Sequence, residues 1–144
     1  MARMDKKTQE LKDTFEILPD WEERYGFIID LGKKLEPLPE SAYSDEYKVR
    51  GCMSQVWLIA DNDKNEPEKM VFKGDSDAHI VRGLIAILLI IFSGKTAQEI
   101  ADTDINAIFE ELQLEQHITM NRRNGLYSMV ETIRRLAAAR LAAA

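Results

Sequence analysis

From Ala78 to Phe92 the chain is apolar nearly all round any helix it forms, with Leu84, Ile85, Ile87, Leu88, Leu89, Ile90 and Ile91 leaving little room for a solvated face. A helix of this kind is buried, so this segment is expected to be the central helix around which the rest of the chain packs. Its uninterrupted apolar stretch, Leu84 to Phe92, is well short of the roughly 18 residues a membrane span requires. Ser93-Gly94 stops it.

The flanking segments have periodicities that can cover such a helix. Leu11, Phe15 and Leu18 recur at helical spacing over Thr8–Leu18. After Pro19, Asp20 is placed to cap a second helix with Glu23 in capping-box position, and Trp21, Tyr25, Ile28, Ile29 and Leu35 form its core-facing set. Tyr47-Lys48-Val49 reads as a short strand, Gln55–Ala60 as a longer one and Lys69–Phe72 as its return across the turn-rich Asp61–Pro67. Asp75 or Ser76 is placed to cap the central helix. Thr96 with Glu99, then Asp104, then Asn121 mark three further helix starts, the last using Leu126, Met129, Val130, Ile133 and Leu136 as its buried stripe. Strands followed by a run of helices indicate an α+β class, a small antiparallel sheet with helices on one face.

With 144 residues, 45% hydrophobic and 31% charged, the chain suits one domain over residues 1–144, frayed in its first few residues and in the Ala-rich end from Ala137. A net charge of −6 argues against generic nucleic-acid binding, which rests on phosphate neutralisation. That charge is uneven, because Asn121 onward carries +4 and the remainder −10. A basic last helix on an acidic body is either a docking element or a solvated face. Met1–Glu10 lacks an apolar leader segment, and the single cysteine fits a reducing, cytoplasmic setting.

That cysteine, Cys52, lies in Val49-Arg50-Gly51-Cys52-Met53-Ser54-Gln55-Val56-Trp57. Alone it closes no intramolecular disulfide and supplies too few thiolates for the usual zinc or iron–sulfur site, so no metal site is expected. Lys48 and Arg50 nearby would favour a thiolate, and Gly51 would let a reactant approach the backbone. Isolated cysteines nevertheless pack more often than they react. The two histidines, His79 and His117, have no sequence link to Cys52, and Gly74-Asp75-Ser76-Asp77 lacks the spacing of a phosphate loop.

Five ordered blocks decide between these alternatives: Gly51-Cys52-x-Ser54-x-Val56-Trp57, Phe72-x-Gly74-Asp75-Ser76-Asp77-Ala78, Val81-x-Gly83-Leu84, Leu114-x-x-His117-Ile118-Thr119 and Arg122-x-x-Gly125-Leu126-x-x-Met129. Together they resemble the SufE family of sulfur-acceptor proteins in iron–sulfur cluster assembly. Met53 departs from the pattern, standing where a glutamine commonly follows the cysteine. The resemblance implies a SufE/IscU-like single domain. It implies that Cys52 takes a persulfide sulfur from a SufS-like or CsdA-like cysteine desulfurase, stimulates that enzyme and passes the sulfur to a downstream iron–sulfur scaffold. Arg50, Gly51, Met53, Ser54, Asp75, Asp77 and Arg122 are the positions it points to for partner binding. The pyridoxal phosphate belongs to the desulfurase, so this chain is expected to carry no cofactor and to act as an accessory protein rather than an autonomous enzyme. A non-covalent desulfurase regulator is the alternative, and an iron–sulfur scaffold a more distant one. Nothing in the sequence separates a monomer from a homodimer.

Overall fold

The computed structural model describes residues 5–143, so the first few residues expected to fray lie outside them. Helices α1 (Lys6–Ile17) and α2 (Trp21–Lys33) come first, then strands β1 (Val56–Asn62) and β2 (Lys69–Ser76). The apolar segment forms α3 (His79–Phe92), followed by β3 (Lys95–Thr96), α4 (Ala97–Ala101), α5 (Ile105–Leu112) and α6 (Met120–Ala143). The class is α+β, with six α-helices and one antiparallel sheet ordered β1-β2-β3 among the described residues.

The helix starts follow from side chains that accept otherwise unpaired first-turn N–H groups. Asp5, Asp20 and Asp104 cap α1, α2 and α5, and Thr96 with Glu99 closes a reciprocal capping box on α4. The hairpin between β1 and β2 turns on Asp63, whose carboxylate accepts from the amides of Asn65 and Glu66. Register runs from Val56 opposite Ser76 to Asn62 opposite Met70. Val56, Leu58, Met70 and Phe72 are buried on the face that meets the helices.

Helix α3 is enclosed as its composition demands. Ile80, Val81, Leu84, Ile85, Ile87, Leu88, Ile91 and Phe92 are all buried. Its crossing with α2 is backbone against backbone: a Cβ on Gly83 would lie 2.2 Å from the Ile28 carbonyl oxygen, and one on Gly32 would lie 2.6 Å from the Gly83 nitrogen. No larger residue fits there without moving a helix. From the other side, α6 brings Leu126, Met129, Val130, Ile133 and Ala137 into the core.

Several local expectations need correcting. Asp75 and Ser76 do not cap α3, because the β1–β2 ladder continues to Ser76; the capping position is Ala78, which has no side-chain acceptor to offer. Asn121 does not cap α6 either. Thr119 does, its Oγ1 accepting from the Arg122 amide at 3.3 Å. Tyr47-Lys48-Val49 shrinks to one bridge, Lys48 to Trp57, although Val49 N–H still donates to the Val56 carbonyl at 2.8 Å. Tyr25 is 38% exposed, and Phe27 instead packs edge-on to Phe15, their ring centres 6.0 Å apart. The Ala-rich end from Ala137 continues α6 to Ala143 as the helix tail expected there.

Gly83→Ala is therefore expected to lose about 1–3 kcal/mol or more of stability in urea unfolding, as overpacking does. Gly26→Ala, on an exposed part of α2 with nothing within 4 Å of the added methyl, is expected to gain about 0.5–1 kcal/mol.

Candidate functional site at the Cys52 cleft

Cys52 lies in the loop that enters β1, and backbone bonding fixes both ends of that loop. The Val49–Val56 hydrogen bond closes its neck, and Lys48 bridges to Trp57 just outside it. Gly51 takes φ +87°, a left-handed conformation that side chains disfavour, and a Cβ there would come 2.5 Å from Ser128 Oγ. The glycine thus does two things: it turns the chain and lets the loop settle onto α6.

The turn brings Cys52 to Gly125, on the first half of α6. The Sγ–H donates to the Gly125 carbonyl oxygen at 3.6 Å. A Cβ on residue 125 would sit 3.5 Å from Sγ, an ordinary contact distance, so the thiol packs directly over this position of α6. Cys52 is half-buried. Burial pushes its thiol above the ordinary value, and donation to a carbonyl favours the same protonated state. This reverses the expectation from Lys48 and Arg50. Arg50 instead lines a separate groove with Asn124, Ser128, Glu131 and Arg135.

The thiol opens into a cleft of about 430 Å³ whose walls come from three elements. Val81 and Leu84 of α3 and Leu126 and Met129 of α6 are its apolar lining, while Met53, Ser54, Thr119, Asn121 and Arg122 complete it. Met53 is 81% exposed, and Met120, in the first turn of α6, is 68% exposed. Arg122 reaches the cleft because Thr119 starts α6 there, and among the described residues it has no acidic partner.

Of the sequence-predicted positions, Gly51, Cys52, Met53, Ser54 and Arg122 are gathered by the loop and α6. Asp75 lies apart from the cleft, between Tyr43, whose hydroxyl donates to it at 2.6 Å, and Arg82, whose Nε is 3.1 Å away. That contact with the carboxylate raises the Tyr43 hydroxyl pKa. Asp77 holds the backbone of Gln55. His79 is exposed at the start of α3 and is not part of the cleft lining, and His117 ends a 3-10 turn, Glu115–His117, with its side chain outside the described residues. Among the described residues no three His, Cys, Asp or Glu side chains converge as metal ligands, and no helix is long and apolar enough to cross a membrane. Sequence reasoning missed the roles of Gly125, Val81, Leu84 and Thr119 around Cys52. The first three read as packing residues, and only the fold turns them toward the thiol. Thr119, three residues before Arg122, had the spacing of a cap.

The chain is similar to known proteins over nearly its whole length. The family model SufE, the Fe-S metabolism associated domain, matches residues 9–137. A SufE-like protein of Rhizobium meliloti is 49% identical over 133 residues, covering 91% of this chain and 94% of that one. A SufE-like protein of Rhizobium etli is 48% identical over 145 residues, covering 99% and 95%. The solution structure of a hypothetical protein from Thermus thermophilus superimposes with a TM-score of 0.78 at 18% identity, covering 97% of this chain and 99% of that one, and so shares the fold.

A thiol held protonated should react slowly. The rate of Cys52 alkylation is expected to rise with pH through a midpoint higher in the folded protein than in the same protein unfolded in urea, since folding favours the neutral form. At pH 7 the folded protein should be the slower of the two; equal or faster reaction would show that the cleft does not shelter the sulfur.

Proposed function

The chain belongs to the SufE family of Fe–S metabolism associated domains, and within that family we propose that it is a sulfur acceptor working through Cys52. The observation that carries this reading is the placement of its one cysteine, half-buried at the mouth of an apolar cleft. A carrier of sulfane sulfur has to accept it from a protein partner and keep it from solvent thiols, and such a cleft offers both access and shelter.

The reaction is an exchange at sulfur. The Cys52 thiolate attacks the outer sulfur of a persulfide on a cysteine desulfurase. A bond forms between Cys52 Sγ and that sulfur, and the bond to the donor cysteine breaks. The electron pair leaves on the donor sulfur, so no net oxidant or reductant is consumed. Pyridoxal phosphate is the partner's, and this chain needs only a nucleophile and a docking surface.

Within the reading each nearby residue has a part. Met53 gives the rim an exposed, adaptable apolar surface for the partner, and Met120, between the lining residues Thr119 and Asn121 in sequence, adds a second exposed apolar side chain. Arg122, with no acidic partner among the described residues, supplies a cation at the cleft, where it would favour the thiolate once docking draws Cys52 off the Gly125 carbonyl. Ser54 adds a polar edge. Arg50 borders the other side of the loop, where its charge can meet the partner without contacting the thiol. A downstream iron–sulfur scaffold would then receive the sulfur.

A half-buried, protonated thiol also suits a packing residue, and this supports the second reading, a non-covalent regulator of the desulfurase. Turnover separates the two. With a cognate desulfurase and cysteine, the parent protein should raise sulfide-forming turnover and Cys52→Ser should give none of that stimulation while still binding. Equal stimulation by both would leave only the regulator. Arg122→Glu is expected to weaken docking by tenfold or more, about 1.4 kcal/mol, with the thermal midpoint unchanged.

A further inference from the structure

Helix α6 carries basic charge on a chain that is otherwise acidic, +4 from Asn121 onward against −10 for the remainder. Among the described residues, ion pairs take up lysines from α1 to β3 and Arg82, and none of them includes Arg50, Arg122, Arg123 or Arg135. Arg50 and Arg135, both exposed, line one groove of about 440 Å³ together with Asn124, Tyr127, Ser128 and Glu131. Asn124, Ser128, Glu131 and Arg135 recur at i, i+4, i+7 and i+11, a single stripe of the helix. The cysteine loop lies across α6 at the near end of this stripe. Gly51 settles on Ser128, while Cys52 bonds to Gly125 on the neighbouring face. The loop thus divides the groove from the cleft, with Arg50 on one side and the thiol on the other.

We propose that this groove anchors an acidic segment of the protein that donates the sulfur, leaving the cleft free for the exchange. The identity of that partner rests on the sulfur-acceptor reading. Two exposed arginines against one carboxylate, Glu131, favour an anionic occupant, and their planar forks suit side-chain carboxylates. Asn124 and Ser128 offer neutral hydrogen-bonding groups to the segment's backbone. From Asn124 to Arg135 the stripe runs about 16 Å at 1.5 Å per residue, the length of about five residues of extended chain. The acidic remainder of the surface repels such a segment and steers it to α6. Continuity with the cleft points to the donor, since a partner seated over Cys52 reaches the groove by crossing one loop.

The test is binding of a cognate desulfurase in the absence of cysteine, so that no sulfur moves, at low and at high salt. At low salt Arg135→Glu is expected to weaken binding roughly three- to tenfold, and the double variant with Arg50→Glu to weaken it further, both effects shrinking at high salt through screening. Arg140→Glu makes the same charge change on the same helix outside the groove and should stay within about twofold of the parent. A second readout needs no variant: pentaglutamate added to the parent should shift the NMR amide signals of Ser128 and Glu131 and leave those of Val81 and Leu84 in place. Equal weakening by Arg135→Glu and Arg140→Glu would be the mark of bulk charge and overturns the proposal. Parental binding by the double variant overturns it too, as do pentaglutamate shifts confined to the cleft. Self-association of the parent that the double variant abolishes would assign the groove to a second copy of the chain instead. Failure of the sulfur-acceptor reading would appear as full stimulation by Cys52→Ser and leave these binding results intact.

Discussion

Burial of α3 is the constraint from which the rest of the structure follows. A helix without a polar face has to be surrounded, and here α2, the sheet and α6 surround it. The α2 contact is the least forgiving, because Gly32 and Gly83 let two backbones meet with no side chain between them. That crossing sets the position of α3, and α3 in turn presents Val81 and Leu84 to the space beneath the cysteine loop. The same helix that makes the core also makes the floor of the cleft. The site is thus an opening in the core rather than an addition to its surface.

The electrostatics of the thiol follow from that placement. A cysteine at the edge of a core loses solvent, and loss of solvent penalises the anion. The nearby carbonyl of Gly125 adds to this, and Arg50, the basic residue closest in sequence, stands on the other side of the loop. At rest the arrangement favours storage over attack. Under the proposed sulfur-acceptor reading, activation comes from a partner that changes the surroundings of the sulfur, in keeping with a cleft whose described lining offers no general base.

Much of this was legible in the sequence, and the rest failed for identifiable reasons. The 3.6-residue stripes of α1 and α6, the caps at Asp20, Thr96 and Asp104, and the central helix all rest on local signals that tertiary packing did not override. The cap of α3 failed because a strand ladder is a long-range fact: Asp75 and Ser76 look like helix caps until Trp57 and Val56 pair with them. The two-residue β3 is too short to leave a pattern. Cys52 could be singled out by its solitude and by the family blocks, but its burial could not, since that depends on Gly125 lying 73 positions further along the chain. Likewise the side of the loop on which Arg50 falls is set by the left-handed turn at Gly51, which no charge count reveals.

The central claim is that one particular sulfur atom travels to Cys52. Incubation with a cysteine desulfurase and cysteine, followed by rapid quenching with an alkylating agent and peptide mass mapping, tests it most directly. The account predicts one added sulfur on the peptide carrying Cys52, formed in step with desulfurase turnover and removed by a thiol reductant. An unmodified Cys52 peptide under conditions where the desulfurase is being stimulated would contradict it.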